Sequence, residues 1–265
     1  MVAMDKPWRL HVLTRRLAAF LTAGVAILAP GVVLGAEIKV LSIPLKGPLD
    51  QIGLQFEKAT GHKLAIKYAP SASLLKQIAA GEPFDVVLIF PETVDELSRE
   101  GKVAAGSRMD IARAGLGLAI KKGAHRPDIG SIDAFKRTLL ASQSIAYAAQ
   151  GPSGVHLMGL LERLEISQDI KPKLKPQGAG SLVVGPVARG EVEVGIVSIP
   201  FILAEPGAEL AGPLPLELQN YVHYSSGIGA AAQDGNIARA FVSHLRQAQA
   251  TEVLQAHGLE PRAAR

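Results

Sequence analysis

Apolar residues follow two rhythms along this chain. Short continuous runs at 38–43, 86–90 and 116–120 have the length of buried strands, and Leu64, Ile66 and Tyr68 alternate as a strand does. Further strands are expected at 144–147, 192–197 and 221–228. Between them, apolar residues recur at helical spacing. Leu49, Ile52, Gly53 and Phe56 form one such stripe, which Gly61 stops. Leu157, Leu160, Leu161 and Leu164 form another, after a Gly-Pro-Ser-Gly turn. Helices are also predicted over 74–80, from Pro91 to Gly101, over 132–140, over 182–189 and over 237–248. Strands and helices that alternate at this spacing imply βα units, hence an α/β fold with mainly parallel sheet. No fixed-period repeat and no low-complexity linker interrupts the pattern. Two lobes joined by strands that cross twice suit it, one from 37–115 with 221–265, the other from 116–220.

The first 36 residues stand apart. Lys6, Arg9, Arg15 and Arg16 precede an apolar run over 17–34, and the small residues Gly35 and Ala36 follow. This is the build of a cleavable secretory signal, and it predicts a periplasmic protein. The arginine pair at 15–16 only weakly resembles a twin-arginine signal, so the general export route is expected. The leader also changes the charge. It holds four of the 28 basic and one of the 24 acidic residues, so the formal net charge falls from +4 to +1 without it. A nearly neutral mature chain has no basic face for nucleic acid, and no such partner is expected. There is no cysteine, so stability must come from burial, and thiolate catalysis or ligation is excluded. No second long apolar segment follows, and a monomer is expected.

Candidate chemistry lies in four turns of one build. Ser71-Ala72-Ser73, Ser153-Gly154 and Gly180-Ser181 each place small or hydroxyl residues where a helix begins, and Pro44-Leu45-Lys46 precedes the first helix. A helix start offers unpaired N–H groups and a partial positive charge. Converged on one cleft, such turns would hold an anion without a full counter-charge. Taken singly, each turn is equally well an ordinary cap.

The run from Ser71 to Val86, with Gln77-Ile78 before Gly81-Glu82-Pro83-Phe84-Asp85, resembles the molybdate-type periplasmic solute-binding proteins of ABC importers. The stretch 49–61, Pro152-Ser153-Gly154 and Gly195-Ile196-Val197 extend the resemblance over nearly all of the mature chain. It implies a two-lobed type II periplasmic-binding-protein fold with a ligand cleft between the lobes, a small anionic ligand and a membrane ABC permease as partner. It matches Ser71 to a serine that donates to the oxyanion, and Ser153 and Gly180 to backbone-donor positions. A family serine falls on Pro44, which has neither N–H nor hydroxyl, and a family tyrosine falls on the shorter Ser198. Each lost donor weakens an oxyanion site by about 1–3 kcal/mol, which points away from molybdate itself.

The chain is also similar to the aconitate isomerase branch of the same superfamily. That reaction moves an allylic proton and needs an acid, a base and carboxylate anchors. His156 and Lys46 are the candidates for catalysis on that reading, and Tyr147 and Tyr224 could reach a cleft. A helix-surface histidine and a solvated lysine are the plainer readings of the first two. Asp85 reads as a strand-end contact, and Lys121, Lys122, His125 and Arg126 as a solvated loop. No spacing suggests a metal or a nucleotide, and no cofactor is expected. The serine turns lack a neighbouring His/Asp pair for hydrolase chemistry.

Overall fold

The computed structural model describes residues 35–262. The leader expected over 1–36 lies outside the described residues apart from its last two positions. In chain order the elements are β1 (Glu37–Ser42), α1 (Lys46–Thr60), β2 (Lys63–Tyr68), α2 (Ser71–Ala79), β3 (Val86–Ile89), α3 (Pro91–Arg99) and β4 (Met109–Lys121). There follow α4 (Ile132–Ala141), β5 (Ile145–Ala148), α5 (Pro152–Arg163), α6 (Ser167–Ile170), β6 (Leu174–Gln177), α7 (Val184–Arg189), β7 (Val194–Ser198), α8 (Ile199–Leu203) and β8 (Ala208–Pro213). The chain closes with β9 (Tyr221–Ile228), α9 (Gly235–His244), α10 (Ala248–Ala256) and β10 (Glu260–Pro261). Single 3-10 turns stand at Lys171–Lys173, Gly180–Leu182 and Leu216–Leu218.

The strands run in the order β2-β1-β3-β9-β4-β7-β5-β6, with β8 and β10 also on β4. Pairing is parallel in the βα units: β2 with β1, β1 with β3, β7 with β5 and β5 with β6. It is antiparallel wherever the long strands β4 and β9 take part. The sheet is therefore mixed. Parallel pairs need a crossover helix between them, and β4 and β9 are the strands that run back through the middle without one.

β4 changes partners partway along. Its residues 109–115 pair with β9, and its residues 116–121 with β7 and β8. At the exchange point the Gln219 side chain replaces a strand neighbour. Its Oε1 accepts from the Leu116 N–H at 2.7 Å, and its Nε2 donates to the Leu116 carbonyl at 3.0 Å.

The helices bury their predicted stripes. α1 turns Leu49, Ile52, Gly53 and Phe56 inward and ends at Gly61, whose φ of 76° is left-handed. α5 buries Leu157, Leu160 and Leu161. Each such leucine taken out of water contributes about 1.5–3 kcal/mol. Asp85 is buried at the foot of β3, where its two oxygens accept from the Lys39 and Gln233 N–H groups. It thereby ties β1 to the loop after β9.

The structure departs from the expected pattern in several places: the sheet is mixed, with β4 and β9 antiparallel to their neighbours, and β8 has no counterpart among the expected strands. The single helix expected over 237–248 is two, because α9 ends at His244 and α10 starts at Ala248. Phe241, Val242 and Leu245 share one face, but Ala250 and Leu254 fall off its phase, and the break turns them inward too. β6 carries the sequence Leu-Lys-Pro-Gln at the outer edge of the sheet, where an exposed strand with a proline has no apolar alternation to reveal it.

Candidate functional site

One cavity gathers the starts of several helices. Pro70, Phe90, Gly151, Ala179 and Ser198 all line it. They are the residues that precede α2, α3, α5, the 3-10 turn at Gly180–Leu182 and α8, and none makes a side-chain cap bond. Away from the cavity, Ser131 and Asp234 cap α4 and α9, while α1, α6, α7 and α10 also start without a side-chain cap. The first N–H groups at the cavity are therefore left for a ligand. Prolines at the first or second helical position of α3, α5 and α8 take one N–H from each of these starts, so the donors there are the remaining first-turn amides.

The structure separates the residues singled out from sequence. Pro44, Ser71, Ala72, Ser153, Gly180, Ser181 and Ser198 line the cavity, and Ser71 and Ser153 face the same space. Gly154 lies just behind it. A Cβ there would sit 1.6 Å from the Ala148 carbonyl oxygen, so only glycine lets α5 start this close to β5. Leu45 and Ser73 are not lining residues: Leu45 is buried in the core, and the N–H of Ser73 bonds the Pro70 carbonyl.

The two residues named for proton transfer also lie off the cavity lining. Lys46 is exposed on α1, ion-paired with Asp50 one turn on and 5.5 Å from the Tyr68 ring centre. His156 turns away along α5, and its Nε2 is 2.8 Å from the Leu218 carbonyl oxygen. That contact ties α5 to the turn at Leu216–Leu218. Tyr147 packs against the core. Tyr224 is buried behind Ser198, its hydroxyl 2.9 Å from the serine Oγ.

The sequence did not single out the apolar wall. Ile43, Leu75, Phe90, Phe201 and Val222 add apolar lining, with Gln150 as a further polar group. The available signal was local: Phe90-Pro91, Gly151-Pro152 and Ile199-Pro200 repeat one strand-to-helix junction.

None of the lining residues is charged or carries a titratable acid or base. The cavity measures about 230 Å³, roughly the share of eight water molecules in the liquid. An anion entering it would meet main-chain N–H groups, serine hydroxyls and hydrocarbon. Among the described residues no group of three or more His, Cys, Asp or Glu could hold a metal ion.

The chain is similar to known proteins over most of its length. An aconitate isomerase from a Pseudomonas species is 34% identical over 255 residues, covering 94% of this chain and 96% of that protein. The molybdate-binding protein ModA of Azotobacter vinelandii is 30% identical over 229 residues, covering 84% and 89%. The solved structure of an Azotobacter vinelandii periplasmic molybdate-binding protein superimposes with a TM-score of 0.69 over 84% of this chain and 98% of that one. At 20% identity that likeness speaks for the two-lobed type II fold alone. Residues 39–260 match the family of bacterial extracellular solute-binding proteins, and the chain belongs to that family.

Proposed function

We propose that this protein captures a small organic anion in the cleft and presents it to a membrane ABC importer. The observation that carries the reading is the cavity's lining: uncapped helix starts and serine hydroxyls, with no charged side chain. Such a site holds an anion through oriented dipoles. The hydrocarbon wall of Phe90, Phe201, Leu75 and Val222 favours a carboxylate with a carbon frame over a tetrahedral oxyanion, whose surface is polar all round. Pro44, which supplies no donor, points the same way.

On this reading the leader over 1–36 directs the chain to the periplasm and is removed there, and the mature protein works as a monomer. The lobes are 37–115 with 221–265, and 116–220. The exchange of partners along β4 between Gly115 and Leu116 supports that boundary. Closure of the lobes over the ligand is the state an importer would recognise.

The test is a thermal-shift panel of molybdate, tungstate, sulfate and di- and tricarboxylates. A ligand at a hundred times its Kd adds about 2.7 kcal/mol, or roughly 5–10 °C in Tm for a chain of this size. We expect a carboxylate to give that shift and molybdate to give less; no shift with any anion sinks the capture reading.

A second reading is aconitate isomerisation, favoured by the 34% identity spread over 94% of the chain. It requires a titrating group beside the reacting carbon, and the cavity lining holds none. Incubation with trans-aconitate in deuterated water, followed by NMR, separates the two. Binding without exchange or a cis product is expected, and turnover would establish the enzyme.

A further inference from the structure

We propose that Tyr224, which does not line the cavity, is a positioning residue that dedicates the Ser198 hydroxyl to the ligand. The proposal rests on the reading that the cleft takes an anion. Ser198 stands at the end of β7, only 1% exposed, and lines the cavity. Tyr224 stands on β9, 2% exposed, with its ring tilted against Phe90 at 6.3 Å between centres. The two strands flank β4 on opposite sides, Ser198 opposite Leu116 and Tyr224 opposite Ala112. The hydroxyl pair at 2.9 Å therefore bridges the β7 and β9 sides of the sheet behind the cavity.

The direction of this hydrogen bond follows from satisfaction of buried groups. The phenol has one proton, and among the described residues the Ser198 oxygen is its hydrogen-bond partner. If the serine donated, the phenol proton would be buried without an acceptor, which costs about 1–3 kcal/mol. The phenol therefore donates, and it is also the more acidic of the two hydroxyls. Burial raises its pKa to about 12, so it holds its proton throughout the neutral range. The serine accepts from behind and has its single proton left for the cavity. Accepting one hydrogen bond also strengthens the one it donates.

The experiment is a double-mutant cycle on the purified protein, read by isothermal titration with molybdate and with trans-aconitate. The Tm of each ligand-free variant is measured alongside. Tyr224→Phe removes one oxygen and keeps the ring against Phe90. It should weaken binding of whichever probe the wild type takes by roughly tenfold. Ser198→Ala should weaken it by at least as much, and the double variant should be no weaker than Ser198→Ala alone. A purely structural role for Tyr224 would lower the ligand-free Tm and make the losses additive, which overturns the relay. Unchanged affinity in Tyr224→Phe overturns it as well. Wild-type protein that binds neither probe removes the relay for these anions, and the capture reading falls only if the whole thermal-shift panel is silent too.

Discussion

Single residues at the cleft divide into those that give donors and those that let the backbone give them. Gly154 belongs to the second kind. Gly154→Ala places a methyl group against the Ala148 carbonyl, so the start of α5 must move off β5. We expect a loss of about 3 kcal/mol in urea unfolding and loss of anion binding, because Ser153 moves with the helix. A variant that unfolds and binds like the wild type would show that this close approach is not needed. Residues of this kind were legible in the sequence, since a glycine or serine at a helix start advertises its role locally. The sequence offers Tyr224 only as a side chain that could reach a cleft, and it does not mark Phe90. Their place at or behind the cavity depends on which strands meet, and spacing along the chain does not carry that. His156 and Lys46, offered for the isomerase reading, lie off the cavity lining. Their chemistry suited proton transfer, but the turn at Leu216–Leu218 and the carboxylate of Asp50 are what they meet.

Among the elements, β4 carries the most consequence. A buried strand that exchanges one partner for another leaves backbone groups unpaired at the exchange, and Gln219 fills that gap. Gln219→Ala should leave the Leu116 N–H and carbonyl without those partners and cost about 1–3 kcal/mol. Hydrogen exchange reads the effect position by position. The Leu116 amide should exchange faster in the variant, while the Val40 amide in β1 stays protected. Equal gains at both positions would mean a global loss and no local role. Strand and helix placement was largely legible because the βα units carry clean periodicity. The exceptions have physical causes. β6 and β8 contain proline and polar residues and take their order from neighbours. The antiparallel course of β4 and β9 is a matter of topology, to which a two-residue rhythm is blind.

For the whole molecule, pH is the variable with a definite sign. Burial, aided for His223 by Arg262 and Arg113, holds His223 and His244 below the ordinary histidine value of 6.5. The unfolded chain gains protons at these positions as pH drops below about 6.5, while the folded chain resists, so stability falls with pH there. Glu57 is held below its usual range by Lys63 and the Leu64 N–H. Burial works against the charge on Asp110, but bonds from Ser225 and Arg108 outweigh it and lower its pKa. These carboxylates favour the folded state above about pH 4, and their contribution disappears as acid protonates them. Urea midpoints should therefore decline from about pH 7.5 to 5.5 and again to about 3.5; a midpoint that rises on acidification would contradict both sets of shifts. The uncapped helix starts have a different consequence, for descent. Their N–H groups belong to the main chain, and no point mutation short of proline deletes them. What mutation can reach is the hydrocarbon wall and the few hydroxyls. A lineage built on this frame can thus exchange one anion for another while inheriting the means of holding negative charge intact.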